Sequence, residues 1–190
     1  MFKHHFQAME VDSESRLAIE AISNKIKSCK VDMMLSNRKL GSHCLMTEAT
    51  IRNILKGIPN IELSTLTKLR LAFGMSLKEL LDEEVNFYRL KRLPITDTMY
   101  QTTFVSDKKK IGKRIGKLMK FRKLDPENLS ILSDNVDYSK TLKYLKGMEN
   151  ITLITIMKYA HGLEVSFASI LDFNGQMPIN SFIGKIKKEF

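Results

Sequence analysis

The chain repeats itself. Residues Ile61 to Leu81 (IELSTLTKLRLAFGMSLKELL) align without a gap on Ile151 to Leu171 (ITLITIMKYAHGLEVSFASIL), at an offset of 90. Apolar positions coincide: Leu63 with Leu153, Leu66 with Ile156, Leu69 with Tyr159, Phe73 with Leu163, Met75 with Val165 and Leu80 with Ile170. Gly57 and Gly147 share the offset. Further upstream it becomes 89, pairing Ile22 with Ile111, Ile26 with Ile115, Cys29 with Leu118, Leu35 with Leu124 and Leu40 with Leu129. One extra residue therefore lies between Leu129 and Gly147. A repeat of this kind decides architecture before any single motif does. Two copies of one unit, of about 62 residues each, occupy roughly 22–83 and 111–173.

Each copy reads as five helices. The first runs from Ile22 to about Met34, with Ile22, Ile26, Cys29 and Met33 on one face; its counterpart is KKKIGKRIGKLMKFRK. The second opens at Ser36, or at Asp125 followed by Pro126. Ser and Asp accept the free amides of a first turn, and Pro there loses no partner. The third is TEATIRNILKG (Thr47 to Gly57), matched by DYSKTLKYLKG (Asp137 to Gly147), with Thr47 and Asp137 as caps and the glycines as left-handed stops. The fourth runs over about 62–73 and 152–163, and the fifth opens at Ser76 and Ser166. In the first copy the fifth is expected to continue through DEEVNFYRLKRL. So tight a turn between the second and third helices makes them a helix-turn-helix. The domains expected are 1–91 with core 22–83, a linker over 92–106 from the Pro-started, Thr-rich PITDTMYQTTF, and 107–190 with core 111–173. The tail places Phe182, Ile183 and Ile186 on a short amphipathic helix.

Charge narrows the partners. The net charge is +10, and it is uneven: residues 1–100 hold 15 Lys and Arg against 12 Asp and Glu, and residues 101–190 hold 16 against 9. Such an excess favours an anionic partner, nucleic acid first and an acidic membrane surface second. No run approaches eighteen apolar residues and the acid-bearing N-terminus lacks a long apolar core, so neither a membrane span nor a signal peptide is expected. Cys29 and Cys44 form no CxxC and read as small buried hydrophobes of a reducing cytosol. His4 and His5 fall on a solvated terminus, and His43 and His161 read as structural or surface residues. No G-x-S-x-G, H-E-x-x-H, Walker-type loop or paired Cys ligands appear, and IGKRIG (Ile111 to Gly116) is too short for a nucleotide loop; neither an enzyme, a cofactor nor a metal is expected.

The stretch from Leu35 to Leu81 resembles the Cro and phage-repressor (XRE) helix-turn-helix family. Leu35, Ser36, Leu40, Gly41 (Ala in the family), Thr47, Ile51, Ile54 and Gly57 fit its pattern, as do Met75, Ser76, Leu77, Leu80 and Leu81. The second copy fits at Leu124, Asp125, Leu129, Ser130, Leu145 and Gly147, then at Ala160, Leu163, Val165, Ser166, Phe167, Ile170 and Leu171. It departs in the extra residue of its turn and in having Thr141 beside Leu142 where the first copy has a buried Ile. The resemblance covers about 125 of 190 residues. It implies an all-α fold of two tandem five-helix, lambda-repressor-like DNA-binding domains.

In that family the third helix enters the major groove with its N-terminal residues at the base edges. The resemblance therefore assigns base contacts to Glu48, Ala49, Arg52 and Asn53, and to Tyr138, Ser139, Lys140 and Lys143. Arg forks onto guanine, Asn onto adenine, Glu accepts from cytosine and Ala meets a thymine methyl. Asn37, Arg38, Lys56, Lys110, Lys113, Arg114, Lys117 and Lys146, with Lys108, Lys109 and Lys120, are assigned to phosphates. The expected function is a sequence-specific duplex-DNA-binding regulator, a repressor of a mobile element by type, in the cytoplasm at the nucleoid. A homodimer and a protein partner at the second copy, as in antitoxin or sporulation-type regulators, stay open, as does a basic RNA-binding protein.

Overall fold

The computed structural model describes residues 2–57, 61–82, 94–173 and 175, with side chains from Arg16 onward. Ten helices make up the described residues, with no strand among them, so the fold is all-α. They are α1 (Phe2–Asp32), α2 (Asn37–His43), α3 (Glu48–Leu55), α4 (Leu63–Phe73), α5 (Leu77–Leu81), α6 (Asp97–Phe121), α7 (Pro126–Leu132), α8 (Tyr138–Leu145), α9 (Leu153–Gly162) and α10 (Phe167–Leu171).

The sequence repeat recurs in the backbone. Met34 and Lys123, Leu45 and Asp134, Gly57 and Gly147, and Gly74 and Glu164 all take positive φ at equivalent positions. At most of them the residue after the left-handed one donates back across the helix end: Leu35 to Lys30 O (2.9 Å), Met46 to Gly41 O (2.8 Å), Leu124 to Met119 O (3.0 Å) and Val165 to Ala160 O (3.0 Å). These bonds satisfy carbonyls that a helix end otherwise leaves open. The extra residue of the second copy falls between α7 and α8, where Asp134 and Asn135 are both left-handed.

Two helices differ from expectation. α1 starts at Phe2 rather than near Ile22. α6 starts at Asp97, so most of the segment read as a linker is helix. Thr96 caps it, accepting from Met99 N–H at 3.2 Å. Tyr100 and Phe104 stack at 5.6 Å between centroids, and Lys68 of α4 lies 4.7 Å over the Tyr100 ring. Packing against α4 thus turns a Thr-rich stretch into helix. The continuation of α5 over 83–93 and the helix at Phe182, Ile183 and Ile186 lie outside the described residues.

The two halves share one core, and they meet reciprocally. α4 packs on α6 and α1 on α9, pairs that exchange when one half is mapped onto the other; α5 and α10 meet each other. At the centre Leu63 N–H donates to Ile151 O and Leu153 N–H to Ile61 O, both at 2.8 Å, around an antiparallel bridge between the equivalent residues Glu62 and Thr152. Such mutual exchange is the signature of an isologous, two-fold contact. Asn150 reinforces it by accepting from Ser64 N–H at 3.1 Å, capping α4 from the other half where Glu62 makes no side-chain cap.

The symmetry is broken by one buried cluster. Asp107 of α6 accepts from Thr67 Oγ1 at 2.9 Å and from Arg70 Nε and Nη2 at 2.8 and 2.7 Å. The equivalent positions on the other side are Ala18, Met157 and Ala160, all buried and apolar. Breaking a buried ion pair leaves an uncompensated charge, whereas replacing it by well-packed apolar groups is often neutral. D107A is therefore expected to lower stability by about 3 kcal/mol or more in urea unfolding. The triple change T67M, R70A and D107A, which copies the apolar side, is expected to recover most of the loss.

Candidate nucleic-acid interface

Ser36 starts α2 by accepting from Lys39 N–H at 3.2 Å, and Thr47 starts α3 by accepting from Thr50 N–H at 3.1 Å. Leu40, Ile51 and Ile54 pin the pair to the core. That leaves Ala49, Arg52, Asn53 and Lys56 exposed along the outer face of α3. Glu48 is half-buried and holds Arg52 Nη2 at 2.5 Å. An exposed pair four residues apart on a helix is worth only a few tenths of a kcal/mol, about 0.3–0.5, so it orients the guanidinium without locking it. At the start of α2, Arg38 is exposed and Asn37 half-buried.

In the second copy Asp125 accepts from Asn128 N–H at 2.8 Å, and Asp137 caps α8 by accepting from Lys140 N–H at 2.8 Å. Ser139 Oγ donates to the same Asp137 carboxylate at 2.6 Å, so this side chain is engaged in the cap rather than left for a base. The Ser139 hydroxyl, with the Lys140 amide next, holds the Asp137 carboxyl below its ordinary range. Tyr138, Lys140, Lys143 and Lys146 are exposed. Lys143 pairs with Glu149 at 2.9 Å, a contact that raises its pKa. Thr141 takes the fully buried place of Ile51. Its hydroxyl lies 2.8 Å from the Tyr159 hydroxyl, and Tyr159 replaces Leu69. A hydrogen-bonded Thr–Tyr pair thus stands for an Ile–Leu pair, and α8 keeps the register of α3.

The basic residues divide. Lys109, Lys110, Lys113, Lys117 and Lys120 are exposed on α6, where α1 carries Glu20, Ala21, Asn24, Ser28 and Val31. The stripe runs beside α8. A Cβ on Gly112 would come within 2.6 Å of Leu145 O, and one on Gly147 within 2.9 Å of Lys109 Cα, so both positions require glycine for the two helices to touch. Lys108 is half-buried, 4.8 Å over the Phe104 ring.

Arg114 is a correction. It is buried, and it donates to Ser169 O at 2.8 Å and Gly175 O at 2.9 Å, which places it on the end of α10 rather than on the exposed face of α6. Its equivalent Lys25 is buried too and donates to Asp82 O just after α5. In both halves a cation from the first helix neutralises the carbonyl end of the fifth. Its place between Ile111 and Ile115, matching Lys25 between Ile22 and Ile26, was the available signal.

Two further lysines, with no distinguishing signal in the sequence, support the turns. Lys68 Nζ donates to Leu45 O at 2.9 Å, and the equivalent Lys158 pairs with Asp134 at 2.6 Å. Each fixes the left-handed residue of its helix-turn-helix. Cys29 and Cys44 are buried and in no disulfide.

Comparison with known proteins finds no matching family model, no matching curated protein and no matching solved structure. Among the described residues no helix is long and apolar enough to cross a membrane.

Burial pushes the Tyr159 phenol up to about 12. An unfolded tyrosine ionises near about 10, so the stability this group contributes is whole below that pH and is lost as pH climbs towards 12. Urea unfolding of Y159F between pH 9 and about 12 is expected to show a shallower alkaline decline than the parent.

Proposed function

We propose that the protein is a sequence-specific duplex-DNA-binding transcriptional regulator of the Cro and phage-repressor type, built from two tandem five-helix domains and acting as a repressor by occupying its site. The observation that carries this reading is the doubled helix-turn-helix, each with a capped, core-pinned second helix whose polar face is exposed. A helix of this size fits the major groove. Arg52 then forks onto guanine, Asn53 onto adenine, and Ala49 meets a thymine methyl, with Glu48 steering Arg52 or accepting from cytosine. In the second copy Tyr138, Lys140 and Lys143 face the groove. Arg38, Lys56 and Lys146, with Asn37 and the α6 lysines Lys110, Lys113 and Lys117, contact phosphates, which gives affinity without reading sequence. Such a protein works in the cytoplasm, at the nucleoid, with no cofactor and no catalysis.

One observation favours a second reading, in which the first copy binds DNA and the second a protein. Ile131 and Leu132 of α7 are half exposed where α2 has Ser42 and His43, and Met148 after α8 is exposed as well. Apolar residues exposed beside a motif are more usual at a protein contact than at phosphates.

Selection of genomic fragments by the purified chain at physiological salt, followed by footprinting, separates the readings. One discrete motif is expected. R52A is expected to weaken it by about 1–3 kcal/mol and to relax one base position. K117Q is expected to leave the motif unchanged and to reduce the salt slope by about 0.9. No enriched motif, with binding that collapses in salt, would overturn sequence-specific regulation.

A further inference from the structure

We infer that one chain binds an inverted repeat of two unlike half-sites, with the dyad of the DNA aligned on the pseudo-two-fold axis between the halves. The inference rests on the duplex-DNA reading above and adds the symmetry, the orientation and the stoichiometry of the target.

Tandem copies in a sequence are expected to repeat head to tail and so to read direct repeats. The contacts here follow another operation. Ile61 meets Leu153 while Ile151 meets Leu63, and Glu62 bridges antiparallel to its own equivalent, Thr152. A translation cannot bring equivalent residues face to face; a two-fold rotation does so by construction. The same rotation exchanges α4 on α6 with α1 on α9, and it maps α3 onto α8. Duplex DNA has its own two-folds, and two-fold protein pairs read sites with matching symmetry.

The distances allow it. From the C-cap Lys56 of α3 to Glu62 at the axis is six residues, as from Lys146 to Thr152. Six residues span at most about 20 Å and bridged residues sit about 5 Å apart, so the ends of the two reading helices lie within about 45 Å of one another. One turn of duplex, about 34 Å, falls inside that limit.

The half-sites are unlike because the faces are. Glu48, Ala49, Thr50, Arg52 and Asn53 correspond to Tyr138, Ser139, Lys140, Leu142 and Lys143. The buried cluster explains why a single chain suffices. Pairing two first halves would set Arg70 and Thr67 against Ala18, and pairing two second halves would bury Asp107 against Met157 and Ala160. Either leaves a buried charge without its partner, which is strongly destabilising. Only unlike halves satisfy it.

Making the faces alike tests the symmetry. In the full chain, Y138E, S139A, K140T, L142R and K143N together give α8 the face of α3. The reciprocal set E48Y, A49S, T50K, R52L and N53K gives α3 the face of α8. Thermal melts show which of the two sets folds, and motifs are selected from random duplex by that variant and by the parent. The expected result is a palindrome for the variant, an asymmetric two-part motif for the parent, and one chain per duplex by native mass. A direct repeat, a lone half-site or two chains per duplex would overturn the inference while leaving duplex binding intact. Absence of any motif from the parent would remove both.

Discussion

Two backbone hydrogen bonds join the start of α4 to the start of α9, from Leu63 to Ile151 O and from Leu153 to Ile61 O. Buried backbone donors and acceptors need partners, and here each half supplies the other's. Leu63 and Leu153 are fully buried at the same point, so the apolar surface of one half is closed by the other. Neither unit of about 62 residues encloses a core of the size the joined halves share, and small units bury proportionally less surface. From this junction follow the packing of α6 on α4, the burial of Asp107, and the placing of α3 and α8 on either side of one axis.

Symmetry of the backbone does not extend to the surface. The first half exposes Ala49, Arg52 and Asn53 on α3 and, among the described side chains, has Glu20, Asn24, Ser28 and Val31 on α1 where α6 carries lysines. The second half has an α8 whose cap engages Ser139 and whose Lys143 is tied to Glu149, and beside it an α6 lined with lysines. Read as a DNA-binding surface, this gives the first half more capacity to discriminate bases and the second more attraction for phosphate. Coulombic attraction of that kind raises association rate and weakens with salt. Hydrogen-bonded readout does neither to the same degree.

Local signals were legible in the sequence and long-range ones were not. The caps at Ser36, Thr47, Asp125, Asp137 and Ser76, the stops at Gly57 and Gly147, and the apolar faces all fall where spacing puts them, because each depends on neighbours within a turn. The start of α6 was hidden because PITDTMYQTTF has the composition of a loop; burial of Ile95 and Asp107 and stacking of Tyr100 on Phe104 override it. Arg114 sits in a run of basic residues, and only its place on the Ile111–Ile115 face, repeated by Lys25 between Ile22 and Ile26, separates it from Lys113 and Lys117. The roles of Lys68 and Lys158 depend on a turn more than twenty residues away in sequence. For the candidate site, the exposed face of α3 was readable from its period. The engagement of Ser139 with Asp137 depends on side-chain rotamers that spacing does not set. The two-fold relation between the halves is a property of tertiary contacts alone.

The shared core holds α3 and α8 at one fixed separation. Pulsed electron-spin distance measurement tests it, with labels on A49C and S139C. Both sites are exposed, while Cys29 and Cys44 are buried. One narrow distance is expected, unchanged on dilution and close to one turn of duplex, about 34 Å. A broad distribution spread over tens of ångströms, about the range of a flexible linker, would contradict it and show two halves that turn independently.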